Sequence, residues 1–415
     1  MARFTYPDYK NNCFSNIPST ILSLFGISSG RPILPKEIYD SMQVDGKPLK
    51  IILLLIDGLG FNAWQKYTQK LAGFSHINKF GNLYPITAVF PTTTAAAITT
   101  INSGLTPQEH GLFEWFVYFP EIGKIIATLP FCLPGEKEQD ALIKQGYDSK
   151  ILYRGATIFD RLKQSDIHSF AFFNKNYSSS CYSRLISRGS NIIPFNSQSD
   201  LVLKLTQAVK GMRTKSYFYV YWDRLDHAAH HFGPGSKEYL NELKYISILI
   251  DNLIKKIKQE KNTLLIITAD HGEIDINPEK TIFLNGIKGI EKYFKMNQDG
   301  QPILPFGNPR DVFFHVQPDK LKEFVRLLNE RLGDKAKIFL TDEVIKKGLF
   351  GTGNPGQEFL SRVGNLLVLP YENNTVWYQY PNVPYPNFLG HHGGLSEDEI
   401  LIPLGLLNLS TNDHY

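Results

Sequence analysis

Three apolar runs constrain this chain more than any other feature: KIILLLIDG at 50–58, YFYVYWDRLD at 217–226 and NTLLIITADHG at 262–272. Each is short and rich in branched or aromatic residues without polar alternation, as expected of a strand buried on both faces of a parallel sheet. Over 199–211 and 238–259, apolar residues instead recur at three- and four-residue steps, the period of an amphipathic helix. Strand alternating with helix predicts an α/β fold on a doubly wound, mostly parallel sheet flanked by helices. The runs also end in acids: Asp57, Asp223 or Asp226, and Asp270. Carboxyl ends of strands line the ligand crevice of such a sheet, so these acids are expected to converge there. A cluster of that kind requires a cation, because buried like charges repel and lose their hydration.

Past Gly272 the texture changes. A loop-rich stretch at 276–310 precedes DVFFHVQ, the helix-like PDKLKEFVRLLNERLGD and AKIFLTDE. GLFGTGNPGQEF then reads as turns, and NLLVLPYENNTVWYQY as a hairpin turning at Asn373 and Asn374. The expected organisation is a catalytic core over 1–275, a small α+β cap lobe inserted at 276–380, and a return to the core over 381–415. The 415 residues are 42% hydrophobic and 20% charged, a balance that argues against long disordered spans. A formal charge of +4, with lysines scattered along the chain, does not point to nucleic acid as the main partner. Cys13, Cys132 and Cys181 lie far apart, which fits neither a disulfide framework nor a metal knuckle and suits a reducing compartment. The longest apolar runs, such as 51–56, are too short to span a bilayer, and no apolar leader follows a basic patch at the N-terminus. A cytoplasmic protein is expected; the sequence carries no signature of oligomeric state.

Histidines complete the cluster. Of 11 in the chain, His227, His230, His231, His271, His391 and His392 fall in three short segments that also carry an acid or a glycine turn. In DRLDHAAHHFGPGS, residues four apart share a helix face, and three pairs qualify: Asp223 with His227, Asp226 with His230, and His227 with His231. Asp and His donors without cysteine suit zinc, and the same donors accept manganese or iron. More than four such ligands imply two ions, which in hydrolytic sites sit roughly 3.5–4 Å apart and stabilise both the attacking and the leaving oxygen of a phosphoryl transfer.

The segment AVFPTTTAAAITTINSGL, 88–105, reads as a helix start: Pro91 ends an extended piece, one of Thr92, Thr93 and Thr94 caps, and the helix closes at Gly104. Such a start offers free backbone N–H groups to a phosphate oxygen. A threonine hydroxyl there becomes a nucleophile only when a base or a bound metal ion removes its proton.

Taken in order, LLLIDGLG, VFPTTTAAAITTINSGLTPQEHGL, DRLDHAAHHFGPGS, ITADHGE and HHGG resemble the alkaline phosphatase superfamily, and within it the type I phosphodiesterase and nucleotide pyrophosphatase branch. The resemblance spans about residues 50 to 395 and implies a hydrolase of phosphoric ester or anhydride bonds with two divalent ions, zinc by expectation. In the family pattern the nucleophile stands three residues after the proline, which makes it Thr94. Gly233-Pro234 sets the register that pairs Asp226 with His230, and the histidine directly before a glycine is His392 rather than His391. By this resemblance one ion is held by Asp226, His230 and His392. The other is held by Asp57, Asp270 and His271, with the Thr94 oxygen on it. The implied reaction is double displacement through a phosphothreonine, on a small phosphorylated substrate such as a phosphodiester or nucleotide. Threonine here also argues against a sulfatase, whose nucleophile derives from cysteine or serine.

One departure bears on the substrate. Nucleotide pyrophosphatases of the branch usually carry Phe-Pro-Asn after the nucleophile, with the asparagine on a phosphate oxygen; here the positions are Ala95, Ala96 and Ala97. A different or smaller phosphodiester therefore fits at least as well as a nucleotide. Substrate choice is expected to reside in the cap lobe. Asn174, Tyr177, Ser183 and Arg310 are candidates for substrate contact, with structural or surface roles favoured for each, and His110, Trp115 and Phe116 are read as packing. Two other activities fit the same residues: a phosphomonoesterase or phosphonoacetate-type hydrolase, and a metal-bound binding protein without turnover.

Overall fold

The computed structural model describes residues 4–43 and 49–409. The outer ends of the first and last expected segments, 1–3 and 410–415, lie outside it, as do 44–48.

The three apolar runs form neighbouring strands, Lys50–Ile56, Ser216–Trp222 and Thr263–Thr268, in the middle of a seven-stranded sheet. Lys50–Ile56 pairs in parallel with both of the others, and it and Thr263–Thr268 are buried along their whole length. Each Ile or Leu so buried contributes about 1.5–3 kcal/mol, which helps offset the entropy of ordering the chain. The register places the site. Ile56 is level with Trp222 and Leu55 with Thr268, so Asp57, Asp223 and Asp270 emerge at one edge of the sheet. On one side His168–Asn174 and Asn191–Phe195 extend the parallel set. On the other, Leu401–Asn408 enters antiparallel and pairs with Asn82–Thr87. The expected doubly wound, mostly parallel sheet is thus the sheet observed. The two helical patterns are the helices Gln198–Gly211 and Lys237–Ile257, and Ser197 and Ser236 cap them by accepting the N–H of Asp200 and Tyr239.

A second sheet is antiparallel, in the order Ala336–Leu340, Leu366–Pro370, Asp311–Phe314, Phe306–Asn308, Phe116–Phe119, Lys124–Ala127. Four of its strands come from the stretch read as a lobe. The other two form a hairpin just behind the threonine helix, which the sequence reading did not assign to any sheet. Helix Leu321–Leu332 buries Phe324, Leu328 and Leu332 in the same hydrophobic cluster as Val312, Phe314 and Val368 of this sheet.

The hairpin expected over 365–380 does not form. The chain turns at 371–374, where the Asn374 N–H donates to Tyr371 O at 3.0 Å. Its arms pair elsewhere: Leu366–Pro370 with Asp311–Phe314 and Ala336–Leu340, and Val376–Trp377 in parallel with Ile282–Phe283. Both edges of Leu366–Pro370 are therefore already taken. Among the described residues, no helix is long and apolar enough to cross a membrane.

Candidate active site

Thr94 is the first residue of helix Thr94–Ser103, and Thr93 is its N-cap in extended conformation. No threonine side chain caps the helix, contrary to the sequence reading. Thr92 Oγ1 donates to Gly394 O at 2.9 Å and accepts the Gly393 N–H at 3.0 Å, while Thr93 Oγ1 donates to Phe113 O at 3.3 Å. Thr94 Oγ1 lies 3.3 Å from His271 Nε2. The hydroxyls tie the helix start to distant loops, because those loops offer buried partners. The first ladder bond runs from the Ala97 N–H to Thr93 O at 3.0 Å, which leaves the N–H groups of Thr94, Ala95 and Ala96 outside the ladder. Ala96 and Ala97 sit in the hydrophobic core.

The acids at the strand ends are held by one oxygen each. Asp57 Oδ2 accepts the Tyr221 hydroxyl, and Asp270 Oδ1 accepts the N–H groups of Gly58 at 3.1 Å and His271 at 3.0 Å. Their other oxygens, Asp57 Oδ1 and Asp270 Oδ2, have no hydrogen-bond partner and lie 3.4 and 3.5 Å from His271 Nε2. Across the centre, Asp226 Oδ1 is also unpartnered, 3.3 Å from His230 Nε2 and 3.6 Å from His392 Nε2. The His271 and His392 rings stack with centroids 3.7 Å apart and join the two halves.

One device orients all three histidines. Nδ1 of His230 meets Gly390 O at 2.8 Å, that of His271 meets Gly272 O at 3.1 Å, and that of His392 meets Thr92 O at 2.8 Å. A carbonyl only accepts, so each Nδ1 carries the proton and each Nε2 turns a lone pair toward the carboxylates. Burial, then the charges of Asp270 and Asp226, push the Asp57 carboxyl up. Burial, then His271 and His230, push His392 down. The cluster resists holding its own charge, and lone pairs facing unpartnered carboxylate oxygens are a donor set that fits divalent cations. Among the described residues, three groups of potential ligand atoms fall within 4.8 Å of one another: Asp57, Asp270 and His271; Asp226, His271 and His392; and Asp226, His230 and Glu273.

Among the remaining sequence candidates, His391 borders this centre, its ring centroid 5.3 Å from that of His230. His227 and His231 contact each other on the exposed face of helix Arg224–Phe232, with ring centroids 4.2 Å apart, and His391 turns Nδ1 to the backbone of His392. Arg310 is buried in a fork on Glu399 at 3.0 and 2.9 Å. Ser183 Oγ accepts from Ser180 Oγ, Asn174 Oδ1 accepts the Asn176 N–H, and the Tyr177 ring rests against Phe173. His110 Nε2 meets Thr100 Oγ1 at 3.1 Å in the interior. Trp115 departs from the packing expectation: it is 40% exposed and lines a cavity of about 340 Å³ over Thr94. Trp377, Tyr385 and Phe388 wall the same cavity, and no Lys or Arg among the described residues lines it. The sequence reading missed this wall, Tyr221 and Glu273, although Glu273 stands directly behind Asp270-His271-Gly272.

The strand-end acids, the carbonyl-oriented histidines and the hydroxyl on a helix start together define an alkaline-phosphatase-like α/β protein with a candidate metal centre. The model of the type I phosphodiesterase / nucleotide pyrophosphatase family matches residues 51–395, so the chain belongs to that family, within the alkaline phosphatase superfamily. Human ectonucleotide pyrophosphatase/phosphodiesterase family member 1 is 25% identical over 284 residues, which cover 66% of this chain and 28% of that protein. Human family member 5 is 25% identical over 291 residues, 67% of this chain and 57% of that protein. The chain thus spans less than two thirds of the length of either relative. Murine ectonucleotide pyrophosphatase/phosphodiesterase 5, solved as an inactive variant in complex with AMP, shares the fold. Its TM-score is 0.66 at 18% identity, over 87% of this chain and 88% of that one.

Proposed function

We propose that this chain hydrolyses phosphodiester or nucleotide pyrophosphate bonds through Thr94, at a centre of two divalent ions, zinc by the chemistry of the donors. The observation that carries this reading is the orientation of the side chains: three histidine Nε2 atoms face carboxylate oxygens that have no hydrogen-bond partner, and Thr94 Oγ1 lies beside one of them, His271 Nε2. Asp57, Asp270 and His271 would hold the ion beside Thr94, and Asp226, His230 and His392 the other. When bound, such ions supply Lewis acidity to phosphoryl oxygens and lower the pKa of a neighbouring hydroxyl.

Thr94 gives up its hydroxyl proton to solvent and its Oγ attacks phosphorus; the bond to the leaving oxygen breaks, and its electron pair departs with the alcohol or phosphate, which takes up a proton from solvent. The free N–H groups at the helix start bind a non-bridging oxygen as charge develops there. Water next attacks the phosphothreonine, releases the phosphoryl product and returns a proton to Thr94. The aromatic wall keeps bulk water out and takes a flat or apolar group of the substrate. The bound AMP of the murine relative supports a nucleotide-like group there, and the stretch 276–380, which supplies Trp377, is proposed as the cap that sets substrate choice. Cys13, Cys132 and Cys181 are buried and unpaired, which supports the proposal of a cytoplasmic setting, checked by cell fractionation.

The aromatic and apolar lining, without lysine or arginine among the described residues, favours a singly charged diester over a doubly charged monoester. We expect an aryl phosphodiester to be turned over with kcat/KM at least about tenfold above that of the matching monoester, a difference of about 1.4 kcal/mol in transition-state stabilisation. A strong monoester preference would overturn this and favour the phosphomonoesterase reading.

A further inference from the structure

Glu273 has no role in the reaction above. It is 8% exposed, and neither Oε1 nor Oε2 has a hydrogen-bond partner. A buried carboxyl group with neither oxygen partnered calls for a further partner.

Its position is built into the fold. Strand Ile274–Asp275 pairs antiparallel with Gly390–His391, which fastens the backbone beside Glu273 to the segment that carries His392. Two glycines border the carboxylate: a Cβ on Gly58 would lie 3.0 Å from Asp226 Cα and 3.1 Å from Oε1, and one on Gly390 would lie 2.9 Å from Oε2 besides meeting the Ala229 carbonyl oxygen. Gly58 follows Asp57, and the Gly390 carbonyl orients His230. The carboxylate therefore lies on the Asp226 and His230 side of the centre. There it offers a ligand atom within 4.8 Å of those of Asp226 and His230.

We propose that Glu273 is a further ligand of the divalent ion held by Asp226 and His230, a proposal that rests on the metal-centre reading above. That ion then meets two carboxylates, as the other meets Asp57 and Asp270. Added oxygen donors make this position more accepting of manganese relative to zinc, and the added charge weakens its hold on doubly charged phosphate.

The test is metal binding by the full chain, stripped with chelator and titrated calorimetrically with Zn²⁺ and separately with Mn²⁺, for wild type and Glu273→Gln. This substitution keeps the volume and removes the charge. Wild type should take up two ions. Glu273→Gln should retain one at wild-type affinity and bind the other about 10–100-fold more weakly, with Mn²⁺ losing more than Zn²⁺. The same variant should bind inorganic phosphate more tightly than wild type at saturating Zn²⁺. Thermal melting of the stripped proteins checks folding; should Glu273→Gln not fold, Glu273→Asp, which keeps the charge but shortens the arm, should show the same selective weakening. Two ions bound by a folded variant as tightly as by wild type would overturn the proposal alone. A wild-type chain that takes up no ions would overturn it together with the metal-centre reading.

Discussion

At the scale of single residues, the candidate centre depends on partners that orient its carboxylates and imidazoles. Tyr221 donates to Asp57 Oδ2 and leaves Oδ1 to face inward. We expect Tyr221→Phe to bind the ion at Asp57 and Asp270 about 10–100-fold more weakly, while stability changes by only about 1 kcal/mol. Calorimetric metal titration beside urea denaturation measures both. Arg310 tests the contrary case, a buried charge outside the chemistry. Arg310→Met strands Glu399 in the interior, and the expected cost is about 3–5 kcal/mol in urea denaturation, with metal affinity unchanged. Asp57, Asp270 and His271 were legible because each ends an apolar run with a residue such a run does not need. Tyr221 was not, because it looks like Tyr217 and Tyr219 in the same strand, and only the pairing with Lys50–Ile56 brings it against Asp57.

At the scale of elements, loops carry His271 and His392, the helix Arg224–Phe232 carries His230, and close backbone packing fixes the loops. Gly272 sits in the turn behind His271, where a Cβ would overlap the carbonyl oxygen of Asp398. That obstacle is backbone, so Gly272→Ala displaces the loop or the segment behind it. A clearly lowered melting temperature is expected, with loss of binding by Asp270 and His271, read by calorimetric scanning and metal titration. The central strands could be read in the sequence because burial on both faces leaves a continuous apolar run. The partners of a strand leave no such mark. Leu366–Pro370 was assigned to a hairpin with its sequence neighbour, although its actual partners are Asp311–Phe314 and Ala336–Leu340. The Phe116–Ala127 hairpin joins that sheet only through Phe306–Asn308, a contact remote in sequence. The three hydroxyls of the threonine run were legible as a helix start, yet their partners Gly394, Phe113 and His271 come from across the fold.

At the scale of the whole molecule, a buried polar seam links the second sheet to the cavity. Glu114 Oε1 accepts from Asn308 Nδ2 at 2.6 Å, beside Asp311, whose oxygens have no partner. Burial pushes the Glu114 carboxyl from its ordinary 4.5 up to about 8, and burial and Glu114 push Asp311 up as well. A raised carboxyl binds its proton in the folded state before the unfolded one does, so its contribution to stability is complete below about pH 4.5 and lost as pH rises through about 8. The urea midpoint of the wild type should fall over that window, and Glu114→Gln, which stays neutral, should flatten the fall. Whether three strand ends and a C-terminal loop act together on one hydroxyl is measured most directly in Thr94→Ala, by metal content and phosphodiester turnover on the same preparation. The expected result is two ions retained and turnover lowered at least about a thousandfold. A variant that keeps its ions and hydrolyses the diester as fast as wild type would contradict it.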